Sequence, residues 1–520
     1  MNGAAVIQPA PIPFYTVLVL YLGIMAFIGW YAGRKTNNIG DFFVLSGKAG
    51  VVVSGIAYFS TQFSMGTFLG TPGTIYGVGY AGMAISVPGA VFCMILPALL
   101  IGRKLITLGH KYGFLTMADY LTDRYHSKNM SGVLGVMMLF FLVPMMGAQI
   151  IGAGVIVHVF TGLPEWVGVV GMGIIVILYC MTGGMKGAMM TDVIQGSLMI
   201  ATAVVTFIVS IVMGGGFSNI NHTLQSMNEA YLTFPGANGY MPWTYYISNI
   251  VLWSFFTMGQ PHLFTKFFAM KDHKTMFKAI LLGTAGMFFS ATLIEWAGVN
   301  GIASIQNIEK ADQIIPMILQ RGMNPFLASI FIAGIVAAGM STIDGILVTT
   351  TGAVTRDIYQ KIMERLDGRD VRIVVDATKD LLLNVLGHHP FLIKPNNHEL
   401  GDIFGVKLSE REEVVPYAKK LQEKGAVNVL VSMAGKGAVL LAEDGSVYAA
   451  EAPKGTLKNG VGAGDSMVAG FLAGYGESGD YEHAFRMGLA AGSASAFSEQ
   501  LATKDEIKKV YETCKITKIG

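Results

Sequence analysis

Charged side chains are scarce in this 520-residue chain: they make up 13% of it, whereas hydrophobic residues make up 52%. The scarcity is confined to one part, because 26 of the 70 charged residues lie in residues 1–355 and 44 lie in the last 165. The first part has too few charges to cover a soluble domain of its length, and the second has a normal supply. The composition therefore argues against a single soluble globular protein.

Basic clusters and paired cysteines are also lacking. The formal net charge is +2 and no Lys/Arg-rich run occurs, which argues against nucleic acid as a partner. The three cysteines, Cys93, Cys180 and Cys514, are far apart, so we expect neither a structural zinc site nor a disulfide framework. No basic residue precedes the first apolar run, so we expect no cleaved signal peptide.

Long apolar runs, by contrast, fill the first 355 residues. A helix needs roughly 20 apolar residues to cross the hydrocarbon layer of a membrane. Nine runs have this character and are numbered here as spans in chain order: 14–32, 50–78, 83–102, 130–160, 164–182, 188–214, 244–268, 277–303 and 326–350. The sequence therefore predicts an all-α domain of about nine helices in a lipid bilayer.

Basic residues in the predicted loops indicate the orientation of this domain. The loop 215–243 has none, and the loop 304–325 has only Lys310 and Arg321. Because basic loops stay in the cytoplasm, we expect a multi-pass protein of the cell membrane whose N-terminus is outside and whose C-terminal domain is cytoplasmic. Loops after odd-numbered spans carry the other basic residues: Arg34, Lys35, Lys48, Arg103, Lys104, Lys111, Arg124, Lys128, Lys186, Lys266, Lys271, Lys274 and Lys278.

Polar and helix-breaking residues are predicted to interrupt the second, seventh and ninth spans. Polar groups at membrane depth usually face a cavity or a partner helix, and helix breaks free carbonyls that coordinate coupling ions. Ser and Thr also hydrogen-bond adjacent helices, so an isolated hydroxyl fits either a sodium site or helix packing. The clustering of hydroxyl residues in spans two and nine favours a sodium site. The interrupting segments are 60–64 with 70–73, 258–262, and 337–344.

Five different motifs occur along this part: DFFVLSGK (41–48), FLTMADYL (114–121), GGMKGAMMTDVIQG (183–196), GQPHLFTKFFAMKD (259–272) and AAGMSTIDG (337–345). Over about residues 14–362 they resemble the sodium:solute symporter family, most closely its pantothenate and proline carriers. The resemblance implies sodium-coupled transport of a small organic solute. It also implies a LeuT-type core of two inverted five-helix repeats after one extra helix, truncated here to three helices in the second repeat.

The same resemblance implies binding residues. The solute would contact Gln62, Gln260 and His262. Gln62 stands where proline carriers have an aspartate, which argues against proline as the solute. Sodium would bind at Ser60, Phe63, Ala338, Ser341 and Thr342.

Residues 363–520 change to short apolar runs and helical patterns. Runs of strand length occupy 372–378, 390–396 and 428–434, and residues 437–453 are typical of a hairpin turning at Asp444-Gly445. Strands alternating with helices predict a partial α/β domain with parallel strands. Helical patterns occupy 409–425, 462–476 and 481–499.

The segment NGVGAGDS, residues 459–466, precedes an apolar helix. Small residues let backbone amides approach an anion, and the helix start favours phosphate. An aspartate there can accept a proton from a hydroxyl while the amides stabilise a transferring phosphoryl group. Glycine-rich turns also begin many helices that bind nothing, so the composition leaves both interpretations open.

With LIKPNNHEL (392–400) and VSMAGKGAVLL (431–441), this loop resembles the ribokinase/PfkB sugar kinases, of the 1-phosphofructokinase or tagatose-6-phosphate kinase type. The resemblance covers about residues 364–515, the C-terminal half of such a kinase. It implies that Asp465 is the catalytic base and that ATP and Mg²⁺ are the cofactors. The residues implied near them are Lys394, Asn396, Glu399, Ser432, Gly435, Gly437, Gly462, Ala463 and Gly464.

Three hypotheses follow for the whole chain. It is a sodium-coupled carrier with a kinase fragment behind it, a sugar-phosphate kinase tethered to the membrane, or an inactive chimera of the two. The parts, 1–362 and 363–520, meet without a Pro-rich or Gly/Ser-rich spacer, which is typical of a fused reading frame. The carrier accounts for most of the chain and is the principal hypothesis.

Overall fold

The computed structural model describes residues 9–34, 43–127, 129–366, 369, 371–377 and 379–520. The chain divides into two compact units, Met1–Ile358 and Tyr359–Gly520. They are called here the membrane unit and the α/β unit, and each is described by itself.

The membrane unit is helical. Among the described residues, six stretches of the chain are long and apolar enough to cross a membrane, and the last of them continues past the end of this unit at Ile358: Pro11–Ala32, Tyr80–Tyr112, Met130–Thr161, Met185–Met213, His273–Ser304 and Pro325–Leu366. Large apolar side chains are exposed on them, for example Phe140 and Val212 at 74% and 73%, as expected of a surface that faces lipid. Its helices are α1 Pro11–Gly33, α2 Val51–Gln62, α3 Thr71–Val78, α4 Ser86–Pro97, α5 Arg103–Tyr112, α6 Met117–Tyr125, α7 Met130–Thr161, α8 Glu165–Met213, α9 Phe217–Met227, α10 Trp243–Phe256, α11 Pro261–Ala269, α12 His273–Ser304, α13 Ile314–Gly322 and α14 Pro325–Gly352.

Six of the nine predicted spans correspond to these six stretches. The other three are 164–182, which lies in the same helix as a longer stretch, and 50–78 and 244–268. The spans 164–182 and 188–214 lie in one helix, α8, because the loop expected between them has helical backbone. Lys186 is therefore a helical residue rather than the loop residue that was predicted. The other two segments, 50–78 and 244–268, are broken helices.

The break in the second span is confirmed. α2 ends at Gln62, and Phe63 has extended backbone with φ −82° and ψ 91°. A π-helical turn, Gly66–Gly70, follows, and α3 begins directly at Thr71. The interruption predicted at 60–64 is therefore observed, whereas the one predicted at 70–73 was wrong, because proline is accommodated in the first turn of α3. Such a break leaves the last carbonyls of α2 without helical partners, which suits them to binding a cation.

The break in the seventh span is also confirmed. α10 ends at Phe256, and α11 begins at Pro261 after the extended residue Gln260. Proline disfavours helical backbone in the residue before it and suits a first helical turn, which places the break. The prediction that Lys266 is a loop residue was wrong, because it lies within α11 and is 1% exposed.

The ninth span is not interrupted, contrary to the prediction. α14 runs through residues 337–344 as continuous helix. Small residues there let other helices approach, since a Cβ on Gly339 would lie 2.6 Å from the Cε of Met65. The Thr342 hydroxyl donates to the carbonyl of Ala338 at 3.0 Å, so the polar groups are accommodated without breaking the helix.

In its described part, the α/β unit contains a six-stranded sheet in the order β1-β2-β3-β4-β5-β6. The first three strands pair in parallel and the rest pair antiparallel. The strands are β1 Val374–Val375, β2 Leu392–Ile393, β3 Asn428–Ser432, β4 Ala438–Leu441, β5 Val447–Ala450 and β6 Ile516–Lys518. The helices are α15 Lys361–Leu366, α16 Lys379–Val385, α17 Asn397–Phe404, α18 Arg411–Glu423, α19 Ala463–Ser478, α20 Tyr481–Phe497 and α21 Lys504–Thr513.

Both faces of this sheet are buried. Val429 and Val431 of β3 pack in one apolar cluster that includes Leu421 of α18. Leu430, between them, packs in a second cluster with Phe471 of α19. Helices on both faces are the usual arrangement around parallel strands. The predicted partial α/β domain and its hairpin are confirmed.

Candidate functional site

Hydroxyl groups from α2 and α14 meet inside the membrane unit. The Ser341 Oγ lies 3.1 Å from the Ser60 Oγ and 3.5 Å from the Thr61 Oγ1. The Thr342 hydroxyl is 3.0 Å from the carbonyls of both Thr61 and Ala338. All five residues are buried. The fold thus brings together four residues predicted to bind sodium, although Ser60 and Ser341 are 281 positions apart.

The fifth predicted residue, Phe63, lies just beyond the end of α2. Its N–H donates to the carbonyl of Phe59 at 2.9 Å. Its ring is buried, with ring-centroid distances of 4.8 Å to Phe68 and 5.4 Å to Phe59. Aromatic packing therefore accounts for the presence of a phenyl ring at this position. The backbone carbonyl is the group through which Phe63 would bind a cation.

A buried ion pair borders the hydroxyl groups, and the sequence analysis missed it. The Lys266 Nζ of α11 lies 2.7 Å from the Asp192 Oδ2 of α8, and the two side chains are 1% and 0% exposed. The Asp192 Oδ1 accepts a hydrogen bond from Ser341. An ionisable residue within an apolar span is itself a sign of function, and that signal would have found both residues.

We call these residues the ion-pair network: Asp192, Lys266, Ser60, Thr61, Ser341 and Thr342. It connects α2, α8, α11 and α14. Buried charges are costly unless they are paired and hydrogen-bonded, and Asp192 meets both conditions. A hard cation prefers oxygen ligands. The network offers hydroxyl and carbonyl oxygens with a carboxylate one hydrogen bond away, which suits sodium.

A cavity of about 490 Å³ adjoins the network. Thr61 and Thr342 belong to the network and also line the cavity. Gln62 and Gln260, two of the predicted solute-binding residues, lie in its wall. The volume suits a small organic molecule, and such a molecule would contact the helices that carry the hydroxyl groups.

His262, the third predicted solute-binding residue, is not among the residues that line this cavity. It is fully buried in α11, and a Cβ built on Gly345 of α14 would lie 3.7 Å from its ring. Neither ring nitrogen has a hydrogen-bond partner among the described residues. The structure therefore places His262 at a contact between two helices rather than in the cavity wall.

In the α/β unit, three side chains lie at the carboxyl ends of parallel strands. Asp376 follows β1, Lys394 follows β2, and Ser432 ends β3. The Lys394 Nζ is 3.2 Å from the Asp376 Oδ2, and Ser432 forms a β-bridge with Asn396. Open α/β sheets bind their ligands at this edge.

The glycine-rich segment enters α19 at the same place. Gly462 has φ +78°, a left-handed conformation that suits glycine, and α19 begins at Ala463. Asp465 lies in the first turn. A Cβ on Gly464 would be 3.2 Å from the Lys394 Nζ. First-turn amides and an ammonium group therefore converge, an arrangement that suits phosphate.

Asn396 and Glu399 have a structural role that the sequence analysis missed. The Asn396 Oδ1 accepts hydrogen bonds from the backbone N–H groups of His398 and Glu399 at 2.9 and 2.8 Å. The Glu399 Oε2 accepts one from the Asn396 N–H at 2.8 Å. This capping box begins α17, so any role in binding Mg²⁺ would be additional to it.

The two glycines of the predicted nucleotide loop differ in environment. A Cβ on Gly435 would meet no heavy atom within 4 Å, whereas one on Gly437, at φ +96°, would lie 1.9 Å from the Ala450 carbonyl oxygen. Lys436 between them pairs with Glu410 at 2.7 Å on the surface. Close packing of β4 against β5 therefore explains why residue 437 is a glycine. Nothing in the packing of the fold requires a glycine at 435.

Comparison with known proteins agrees with both resemblances. Residues 42–387 match the family model described as the sodium:solute symporter family. The chain belongs to the sodium:solute symporter family. A symporter relative, the sodium/pantothenate symporter of Escherichia coli, is 30% identical over 350 residues, which are 66% of this chain and 72% of that protein.

The symporter fold is also seen among solved structures. A Na⁺-coupled sialic acid symporter matches 67% of this chain and 75% of its own chain, with a TM-score of 0.58 at 20% identity. At that identity the likeness shows the fold alone. The predicted symporter-type helical domain is confirmed.

The C-terminal part of this symporter-family chain matches a second family model, that of the pfkB family carbohydrate kinases, over residues 334–508. The 1-phosphofructokinase of Bacillus subtilis is 46% identical over 180 residues. The match covers 34% of this chain and 59% of that kinase, so the chain spans little more than half of the relative. Both predicted resemblances are thus confirmed, and the two families imply the use of sodium and ATP.

Proposed function

We propose that the membrane unit couples the movement of sodium across the cell membrane to that of a small organic solute. The observation that carries this proposal is the position of Thr61 and Thr342, which belong to the ion-pair network and also line the cavity. A solute in the cavity and a sodium ion at the hydroxyl groups would contact the same two helices. Each ligand would therefore stabilise the arrangement that the other binds.

In this proposal sodium binds to the hydroxyl groups of Ser60, Ser341 and Thr342 and to the carbonyls of Phe63 and Ala338. Gln62 and Gln260 bind the solute. Equilibrium binding of ²²Na⁺ to the purified chain tests the sodium site: we expect saturable binding that excess potassium does not displace. Equal displacement by sodium and potassium would contradict a selective site.

For the orientation, we propose that the N-terminus is outside the cell and that residues after 356 are cytoplasmic. Support comes from the loops of the nine-span prediction, since 215–243 lacks basic residues and the predicted cytoplasmic loops contain most of them. This orientation requires 164–182 and 188–214 to cross the membrane separately, whereas a single crossing by α8 would put residues 127 and 218 on the same side. In a chain whose own cysteines have been replaced, a membrane-impermeant maleimide should label Ser218→Cys in intact cells and leave Ser127→Cys unlabelled. The reverse pattern would contradict the orientation.

For residues 363–520 we propose binding of ATP with Mg²⁺ at the edge formed by Lys394 and the first turn of α19. The ammonium of Lys394 and the amides at Gly462, Ala463 and Gly464 would hold phosphate oxygens. The side-chain oxygens of Asn396 and Glu399 are of the kind that Mg²⁺ prefers as ligands. Phosphoryl transfer to a sugar phosphate, with Asp465 as the base, is the second candidate function.

Lys394→Gln should weaken ATP binding by the full-length chain about tenfold or more, because a charged hydrogen bond contributes roughly 1.5–3 kcal/mol. Lys515→Gln is the matched control, since Lys515 is exposed and lies outside the proposed site. Isothermal titration with MgATP measures both. Equal affinities of the two variants would contradict the assignment of Lys394. Absence of both ATP and sodium binding would favour the inactive chimera.

A further inference from the structure

The described wall of the cavity includes one carboxylic acid side chain. Among the described residues that line it, Glu295 is the only acid, and none is a lysine, an arginine or a histidine. Glu295 is 3% exposed and lies on α12, on the same stripe as Ala291 and Met287, which also face the cavity. The three are spaced at intervals of four residues, so the carboxyl group belongs to the face that α12 turns to the cavity.

Aromatic side chains form another part of the wall. α10 turns Tyr245, Asn249, Trp253 and Phe256 to the cavity, and Tyr240 lies just before that helix. The rings of Trp253 and Phe256 have centroids 4.9 Å apart, and those of Tyr240 and Tyr245 are 5.4 Å apart. The faces of such rings attract cations.

From this wall we propose that the transported solute carries an amino group, either an ammonium or a quaternary ammonium. Glu295 binds its charge, and the aromatic residues of α10 contact its apolar surface. The inference rests on the proposed transport function and names the class of its solute. A cation entering this cavity loses hydration, and a carboxylate with aromatic faces replaces it.

An anionic solute fits the wall poorly. It would bring a negative charge beside the carboxyl group of Glu295, and the described lining residues include no lysine, arginine or histidine to bind that charge. The solute would therefore differ from pantothenate, an anion, for which the Escherichia coli relative is named.

Thermal stabilisation of the purified full-length chain in sodium chloride tests the charge of the solute. The probes are choline, glycine betaine, proline and putrescine, with 3,3-dimethyl-1-butanol as the uncharged isostere of choline and pantothenate as the anion. We expect at least one amine to raise the melting temperature, and neither the isostere nor pantothenate to do so. Failure of all four amines, or stabilisation by pantothenate or the isostere alone, would overturn the proposal.

Glu295→Gln tests the carboxylate. It should weaken binding of the stabilising amine by roughly 10- to 100-fold, with the affinity of each variant measured against its own unliganded chain. Glu229→Gln, an exposed residue outside the cavity, should bind as the unaltered chain does. An unchanged affinity in Glu295→Gln would overturn the assignment.

The outcomes also separate this inference from the transport function on which it rests. Amine binding that depends on Glu295 in a chain that binds no sodium would contradict the transport function alone. Sodium-driven uptake of pantothenate that is unaffected by Glu295→Gln would overturn the inference alone.

Discussion

Replacing Asp192 by asparagine should destabilise the membrane unit by about 3–5 kcal/mol and abolish saturable sodium binding. The substitution leaves the Lys266 ammonium buried without its counter-charge, and it removes the carboxylate that hydrogen-bonds Ser341. The free energy of unfolding of the purified full-length chain, measured by titrating detergent micelles with SDS, gives the first effect. Equilibrium binding of ²²Na⁺ gives the second.

A double variant and a surface pair serve as controls. Asp192→Asn combined with Lys266→Met removes both charges, so it should be more stable than Asp192→Asn alone while still failing to bind sodium. Glu165→Gln breaks an ion pair of similar length, 2.6 Å, whose side chains are 48% and 31% exposed, and should cost under about 1 kcal/mol. If the loss of unfolding free energy in the double variant equals the sum of the losses in the two single variants, the coupling of Asp192 to Lys266 is contradicted.

Gly437→Ala should destabilise the α/β unit by about 3 kcal/mol or more. The added Cβ would lie 1.9 Å from the Ala450 carbonyl oxygen and 2.8 Å from the Ala452 nitrogen, both backbone atoms. The φ of +96° at this position is also one that alanine rarely adopts. Hydrogen exchange of the β4 and β5 amides in the full-length chain measures the loss of protection.

Gly435→Ala is the matched control, since its Cβ would meet no heavy atom within 4 Å. We expect a change within about 0.5 kcal/mol. If Gly435 contacts a nucleotide, this variant should weaken ATP binding without altering exchange. Equal protection of β4 and β5 in the two variants would contradict the packing role assigned to Gly437.

Local signals in the sequence were sufficient to predict the two breaks in the membrane helices. Proline acts on its immediate neighbour, so Pro261 shows where the helix before it must end. In the second span the polar segment 60–64 marked the interruption, and α2 ends at Gln62. The ninth span lacks proline, and its glycine and hydroxyl residues pack within an unbroken helix. Small polar residues alone therefore did not distinguish a broken helix from a closely packed one.

Contacts between distant segments could not be predicted from pattern. Asp192 and Lys266 are 74 positions apart, and their pairing depends on how α8 and α11 pack. The basic residue Lys266 was therefore counted with the loop that follows it. Glu295 was missed for the same reason, because only the fold shows which face of α12 lines a cavity.

In the α/β unit, motif resemblance identified residues but did not separate their roles. Asn396 and Glu399 form a capping box, and the spacing Asn-x-x-Glu has that meaning in any helix. Gly437 is required by the approach of β5. Packing of the fold accounts for these three residues. It does not by itself explain why the Lys394 ammonium lies beside the first turn of α19.

Sodium-driven flux is the most direct test of the central claim that the ion-pair network and the cavity form one coupled site. Proteoliposomes containing the full-length chain are loaded with potassium, and uptake of a radiolabelled amine that stabilises the chain is followed with sodium or potassium outside. We predict accumulation with external sodium that Asp192→Asn abolishes. Equal uptake in sodium and potassium, or accumulation that survives Asp192→Asn, would contradict the account.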